Sequence, residues 1–104
     1  VRGTAGEVAQ ALRTARSEAI ADGHPVMLLL DPARRAYVTT GSAPRVLHAP
    51  PPVMIMAPSN GISFMPDGSS SGGAIAVEQA GHRAEISVNW LTGRVSVSEM
   101  RSGD

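Results

Sequence analysis

The stretch Phe64-Met65-Pro66-Asp67-Gly68-Ser69-Ser70-Ser71-Gly72-Gly73 decides how this chain is read. An apolar residue at a strand end enters a Pro-Asp-Gly turn, a serine run and paired glycines follow, and Ala74-Ile75-Ala76-Val77-Glu78 resumes as an alternating strand. The segment is too rich in glycine and serine to be core, so it reads as a long loop between strands. Asp67 is placed for an Asx-turn, its carboxylate accepting from nearby backbone N–H groups.

Downstream of the loop the side-chain period is two. Ile75 and Val77 face one way, as do Ile86 and Val88, and Val95 and Val97, while Glu78, Glu85, Ser87, Ser96 and Ser98 face the other. This is an antiparallel meander with turns at Ala80-Gly81-His82 and Leu91-Thr92-Gly93. Each of its branched residues contributes ~1.5–3 kcal/mol when fully buried, more than a surface ion pair, before ordering entropy is subtracted. Trp90 closes the second strand and reads as the filler of one end of the core, its indole N–H on a backbone carbonyl. An exposed anchor is the sharper alternative. Residues after Met100 read as frayed.

Upstream, Val53 to Ala57 and Ile62 to Phe64 are short strands separated by a Ser59-Asn60-Gly61 turn. Gly41 to Pro52 carries four prolines and no period, which marks a surface connection. Pro25 to Asp31 does not alternate and reads as a strand buried on both faces; it forms a hairpin with Ala36 to Thr40 through the Asp31-Pro32-Ala33-Arg34 turn. From Thr4 to Asp22 the period is helical, with Ala5, Val8, Leu12, Ala15 and Ala19 on one stripe and Arg13, Arg16 and Glu18 mostly off it. Gly23 supplies a left-handed stop and Pro25 cannot continue the helix. Thr4-Ala5-Gly6-Glu7 matches a capping box; either the helix starts there or a longer one runs in from upstream.

A chain of 104 residues, 42% hydrophobic and 17% charged, fits one globular domain: a helix over about 4–22 and a β region over about 25–100. Nine arginines balance nine acidic residues, so no global field draws the chain to nucleic acid or an anionic membrane. Cysteine is absent, which excludes disulfides and thiol chemistry. The longest apolar run, Val26 to Leu30, is far short of the ~20 residues that span a bilayer.

Gly68-Ser69-Ser70-Ser71-Gly72 matches the G-x-S-x-G pattern of a nucleophile elbow, with Glu78 and His82 following in hydrolase order. An elbow needs a helix after the serine, whereas a strand follows here, so no catalytic residue is assigned. His24, His48 and His82 lack metal-ligand spacing, and neither metal nor cofactor is expected. Arg34, Arg35, Arg45, Arg83, Arg94 and Arg101 could form a phosphate-binding patch with Tyr37 or His82 stacking, but zero net charge and three aromatics favour solvated turn arginines.

Taken together, Leu12 to Ile20, Gly23-His24-Pro25-Val26, Ile62 to Gly73 and Val88-Asn89-Trp90-Leu91-Thr92-Gly93-Arg94-Val95 resemble the GspH/FimT family of minor pseudopilins and minor pilins. The resemblance covers nearly the whole chain in order, and the glycine-serine loop and the Trp-Leu-Thr-Gly-Arg turn are its specific parts. It implies an α+β pilin-like fold, an amphipathic helix on a β-sandwich of two small antiparallel sheets, and no catalysis. It implies the periplasmic part of an inner-membrane-anchored Gram-negative protein, with a leader and an apolar anchoring helix encoded upstream. The partners implied are the major pseudopilin, the other minor tip pseudopilins, and the secretin or a secreted substrate. Leu12, Arg13, Arg16, Asp67, Ser69, Ser70, Ser71, Gly72 and Gly73 are the expected subunit-contact residues, on a mobile loop and the helix. Phe64, Pro66, Gly68, Trp90 and Gly93 are the expected structural motif. A type IV pilus minor pilin of the same fold, involved in pilus assembly or DNA uptake, is the alternative.

Overall fold

The computed structural model describes residues 2–31, 36–40, 45–46, 54–58, 60–79 and 81–101. Among these residues one helix, α1 (Arg2–Asp22), precedes eight strands: β1 (Val26–Asp31), β2 (Ala36–Thr39), β3 (Arg45–Val46), β4 (Met54–Met56), β5 (Ile62–Phe64), β6 (Gly73–Gln79), β7 (His82–Val88) and β8 (Val95–Arg101). They form two four-stranded sheets, ordered β3-β2-β1-β5 and β4-β6-β7-β8, with every pairing antiparallel. The α+β architecture expected from the sequence is therefore present.

The helix begins before Thr4, which is buried inside it, so the capping-box start is replaced by a helix already running at Arg2. It ends as Gly23 predicts: φ is 69° and the Gly23 N–H donates to the Ala19 carbonyl at 3.1 Å, an αL cap. The stripe Ala5, Val8, Leu12, Ala15 and Ala19 is fully buried, and Ala9 and Ala11 are buried beside it. The buried arc is wider than the stripe because α1 packs on β1 and β5 of the first sheet and on β7 and β8 of the second. Side chains of α1, Val26, Leu28, Ile62 and Phe64 from the first sheet, and Ile55, Ile75, Val77, Ala84, Ile86, Val88 and Val95 from the second form one core cluster.

Several features differ from or add to what spacing predicts. β1 is not buried on both faces: Val26 and Leu28 point inward, while Met27 and Leu29 are about two-fifths exposed, because among the described residues the helix and core cover one face of its sheet. Val97 is paired with buried Ile86 yet is 40% exposed, because β8 is the sheet's edge and the helix covers only part of it. The proline-rich connection contains β3, paired with β2; the rest of it, the Asp31-Pro32-Ala33-Arg34 turn after Asp31, and His48 lie outside the described residues. β4 and β5 are neighbours in sequence but belong to different sheets, pairing with β6 and β1. Pairing also continues one residue past Met100, to Arg101 opposite His82.

Candidate functional site

The glycine-serine loop and the β7–β8 turn come together on one flank of α1. The loop starts from Phe64, wholly buried, and passes exposed Pro66 into a turn closed by the Gly68 N–H donating to the Met65 carbonyl at 2.9 Å. The Asx-turn is present: Asp67 Oδ1 accepts from the Ser69 hydroxyl at 2.6 Å and the Ser69 N–H at 3.0 Å. These two donors, the hydroxyl first, hold the Asp67 carboxyl below its ordinary pKa.

The loop is tied on both sides instead of hanging free as expected. The Met65 N–H donates to the Ser69 carbonyl at 2.8 Å, and the Ser71 N–H to the Ser63 carbonyl at 3.0 Å. Ser71 Oγ accepts from the Ser63 N–H at 3.0 Å. Ser70, nine-tenths buried, donates its hydroxyl to the Ser63 carbonyl at 2.7 Å and accepts from the Gly72 N–H at 3.1 Å. Its own N–H reaches the Trp90 carbonyl at 2.8 Å, joining loop to turn. Ser70 is thus a brace between strands, and the segment after it becomes β6, not the helix an elbow needs. Glu78, the acid in that hydrolase order, pairs with Arg83 instead.

The β7–β8 turn is built on Asn89, which the sequence reading passed over. Its Oδ1 accepts from the Leu91 N–H at 2.9 Å and the Thr92 N–H at 3.1 Å, and its backbone carbonyl accepts from the Gly93 N–H at 2.7 Å. An asparagine four residues before a glycine is a legible turn signal. Trp90 is 66% exposed and Leu91 64%, so Trp90 does not fill the core; its backbone carbonyl is engaged by Ser70.

Arg16 fastens both elements to the helix. Its Nε–H is shared between the Gly68 and Thr92 carbonyls, each at 3.1 Å. Two glycines make room for it. A Cβ on Gly68 would lie 2.8 Å from an Arg16 terminal nitrogen, and one on Gly93 would lie 2.8 Å from Nε and collide with the Gly68 carbonyl oxygen. Both glycines also hold positive φ, 91° and 71°. Sequence spacing carries no sign of this link, because it spans 52 and 76 residues.

Beside Arg16 lies an open cleft of about 600 Å³ lined by Arg13, Arg16, Ser17, Thr92, Gly93, Arg94 and Val95. Arg13 is exposed, with Nη2 3.5 Å from the Val95 carbonyl. Of the expected contact residues, Leu12 is wholly buried and Ser70 nearly so, which removes both from the surface. Arg13, Asp67 and Ser71 are exposed, Ser69 and Gly72 are half-buried, and Gly73 opens β6 exposed. Of the six arginines of the expected patch, Arg83 pairs with Glu78 and Glu85 and Arg94 lines the cleft; Arg34 and Arg35 lie outside the described residues, as do the side chains of Arg45 and Arg101. No group of three or more metal-ligating side chains occurs among the described residues.

A helix laid across two antiparallel sheets, with two inter-strand turns pinned to its flank, is the pilin-like architecture. The type IV minor pilin FimU of Pseudomonas aeruginosa PAO1 superposes with a TM-score of 0.73 at 19% identity, over 94% of this chain and 92% of that one. The minor pseudopilin EpsH from the Type 2 Secretion System of Vibrio cholerae gives 0.66 at 10% identity, over 96% and 95%. In sequence, the chain belongs to the family described as Type II transport protein GspH, whose profile matches residues 4–93. It is 30% identical, over 98% of its length, to Type II secretion system protein H of Xanthomonas campestris pv. campestris, and spans 65% of that relative.

Proposed function

We propose that this chain is the periplasmic part of a minor pseudopilin, a non-enzymatic subunit of a type II secretion pseudopilus that helps assemble the fibre driving export through the outer membrane. Membership of the GspH family over residues 4–93 carries the reading. The geometry agrees with a structural task. The serine run is engaged within the fold, Ser69 in the Asp67 turn and Ser70 and Ser71 on Ser63, while the flank bearing Arg13, Arg94, Trp90 and Leu91 stays open to a neighbour. In this role its partners are the major and minor tip pseudopilins, with the secretin or secreted substrate beyond them. No described helix is long and apolar enough to cross a membrane.

The superposition on FimU favours a second reading, a type IV pilus minor pilin of the same fold. Deleting the gene in its bacterium separates them. The secretion reading expects loss of type II export with pili intact, and a photo-crosslinker at Leu91 that captures other pseudopilins. Loss of pili with export unchanged would establish the pilin instead.

A further inference from the structure

We propose that the cleft between α1 and the β7–β8 turn is a carboxylate-binding site that takes an acidic side chain, flanked by apolar ones, from a neighbouring subunit. The inference rests on the assembly role above and names the chemistry of the contact. Three of the lining side chains are arginines, Arg13, Arg16 and Arg94, and none is acidic. Each nearby acid is accounted for elsewhere. Asp67, next to Gly68, turns its carboxylate to Ser69. Glu18 lies about 140° around the helix from Arg13 and does not line the cleft. Glu78 and Glu85 hold Arg83.

The guanidinium of Arg16 is aimed by its surroundings. Its Nε–H is spent on two backbone carbonyls, which fixes the plane of the fork and leaves the terminal nitrogens for a partner. Arg13 makes one long hydrogen bond, to Val95, and Arg94 makes no ion pair among the described residues. A positioned fork with two further cations beside it fits a carboxylate, which accepts bidentate donors. The rim supplies the apolar half of the contact. Trp90 and Leu91 are about two-thirds exposed on the same turn, and Ile20, whose side chain reaches the Gly68 position, is 46% exposed. Exposed tryptophan beside arginine is the composition of an interface anchor. A nucleic-acid backbone is the poorer fit, because the chain has zero formal net charge and the cations sit in one cleft beside apolar side chains, not along a stripe.

The test is an NMR titration of the 104-residue chain with three probes: an acetylated Leu-Glu-Leu-Glu-Leu amide, its Gln-for-Glu counterpart, and a single-stranded oligonucleotide. The Glu peptide should move the Thr92, Gly93 and Arg94 amides and the Arg16 Nε–H saturably, with the Gln peptide about tenfold weaker or more. Arg94→Glu and the milder Arg94→Gln should each weaken the Glu peptide about tenfold, while Arg83→Gln leaves it unchanged. Equal binding of the two peptides, shifts away from the cleft, indifference to Arg94, or tighter binding of the oligonucleotide at the same residues would overturn the site. The titration needs no secretion machinery. Failure here with Leu91 crosslinks intact rejects the cleft and leaves the subunit role standing; success without such crosslinks does the reverse.

Discussion

The two turns of the β6-β7-β8 meander look alike in sequence and are unlike in the fold. Each holds a glycine at positive φ, 83° for Gly81 and 71° for Gly93. Around Gly81 a Cβ would meet nothing within 4 Å. At Gly93 it would run into the Gly68 carbonyl and the Arg16 side chain. The first glycine serves only its own backbone conformation, whereas the second also makes room for a contact among helix, loop and turn. Their charges differ in the same way. Arg83, beside the open turn, pairs with Glu78 and Glu85 at the surface, a pairing that holds its pKa above the ordinary value. Arg16, beside the closed turn, binds backbone and joins three segments.

The largest effect should come from substituting the two glycines in parallel. Gly81→Ala meets only the left-handed backbone penalty, about 1–2 kcal/mol. Gly93→Ala adds displacement of Arg16 and the loop, for a total of about 3 kcal/mol or more. Chemical denaturation of both variants measures the difference. Equal losses would mean that the closed face yields without cost, and the contrast between the turns would fall.

Next in size is Arg16→Ala, expected to cost about 1–2 kcal/mol because two carbonyls lose a charged donor. A double-mutant cycle sharpens the point. In the Gly93→Ala background the arginine is already unseated, so its removal should cost much less, giving a coupling of about 1 kcal/mol. Strict additivity would show that Arg16 and Gly93 do not act through one contact.

Much of this was legible in residue order. The helical stripe, the left-handed stop at Gly23, the Ile62–Phe64 strand and the period-two meander follow from spacing alone, since local sterics and one-sided burial set them. What spacing does not carry is which covered face an element meets. Met27 and Leu29 are as apolar as Val26 and Leu28, and what separates them is that the core lies against one face of β1 while the other is partly exposed. Val97 repeats the pattern of Ile86 but stands at the edge. The loop's glycines suggested mobility because composition shows what a backbone can do; its hydrogen bonds to Ser63 and Trp90, and to Arg16 far away in sequence, show what it does. Leu12 fell among the contact residues for the same reason, since a stripe does not reveal whether sheet or neighbour covers it.

The smallest expected effect concerns acid, and it distinguishes the closed face from the open turn by titration. The Asp67 carboxyl sits below its ordinary value because the Ser69 hydroxyl and N–H donate to its charged form. A group depressed in the folded state stabilises it fully above the unfolded value, about 3.9 for aspartate, and loses that contribution as pH falls through the lower folded value. The turn at Asp67-Gly68 should therefore persist at pH 4 and loosen only in stronger acid. Because the Gly68 carbonyl accepts from Arg16, the Arg16 Nε–H resonance should move with the Asp67 titration, whereas the Gly81 amide should not. Ser69→Ala removes the hydroxyl, the stronger of the two donors, and should raise the midpoint toward about 3.9. A midpoint at or above that value in the unaltered chain, or an Arg16 signal indifferent to it, would separate the loop's local turn from the contact that holds it to the helix.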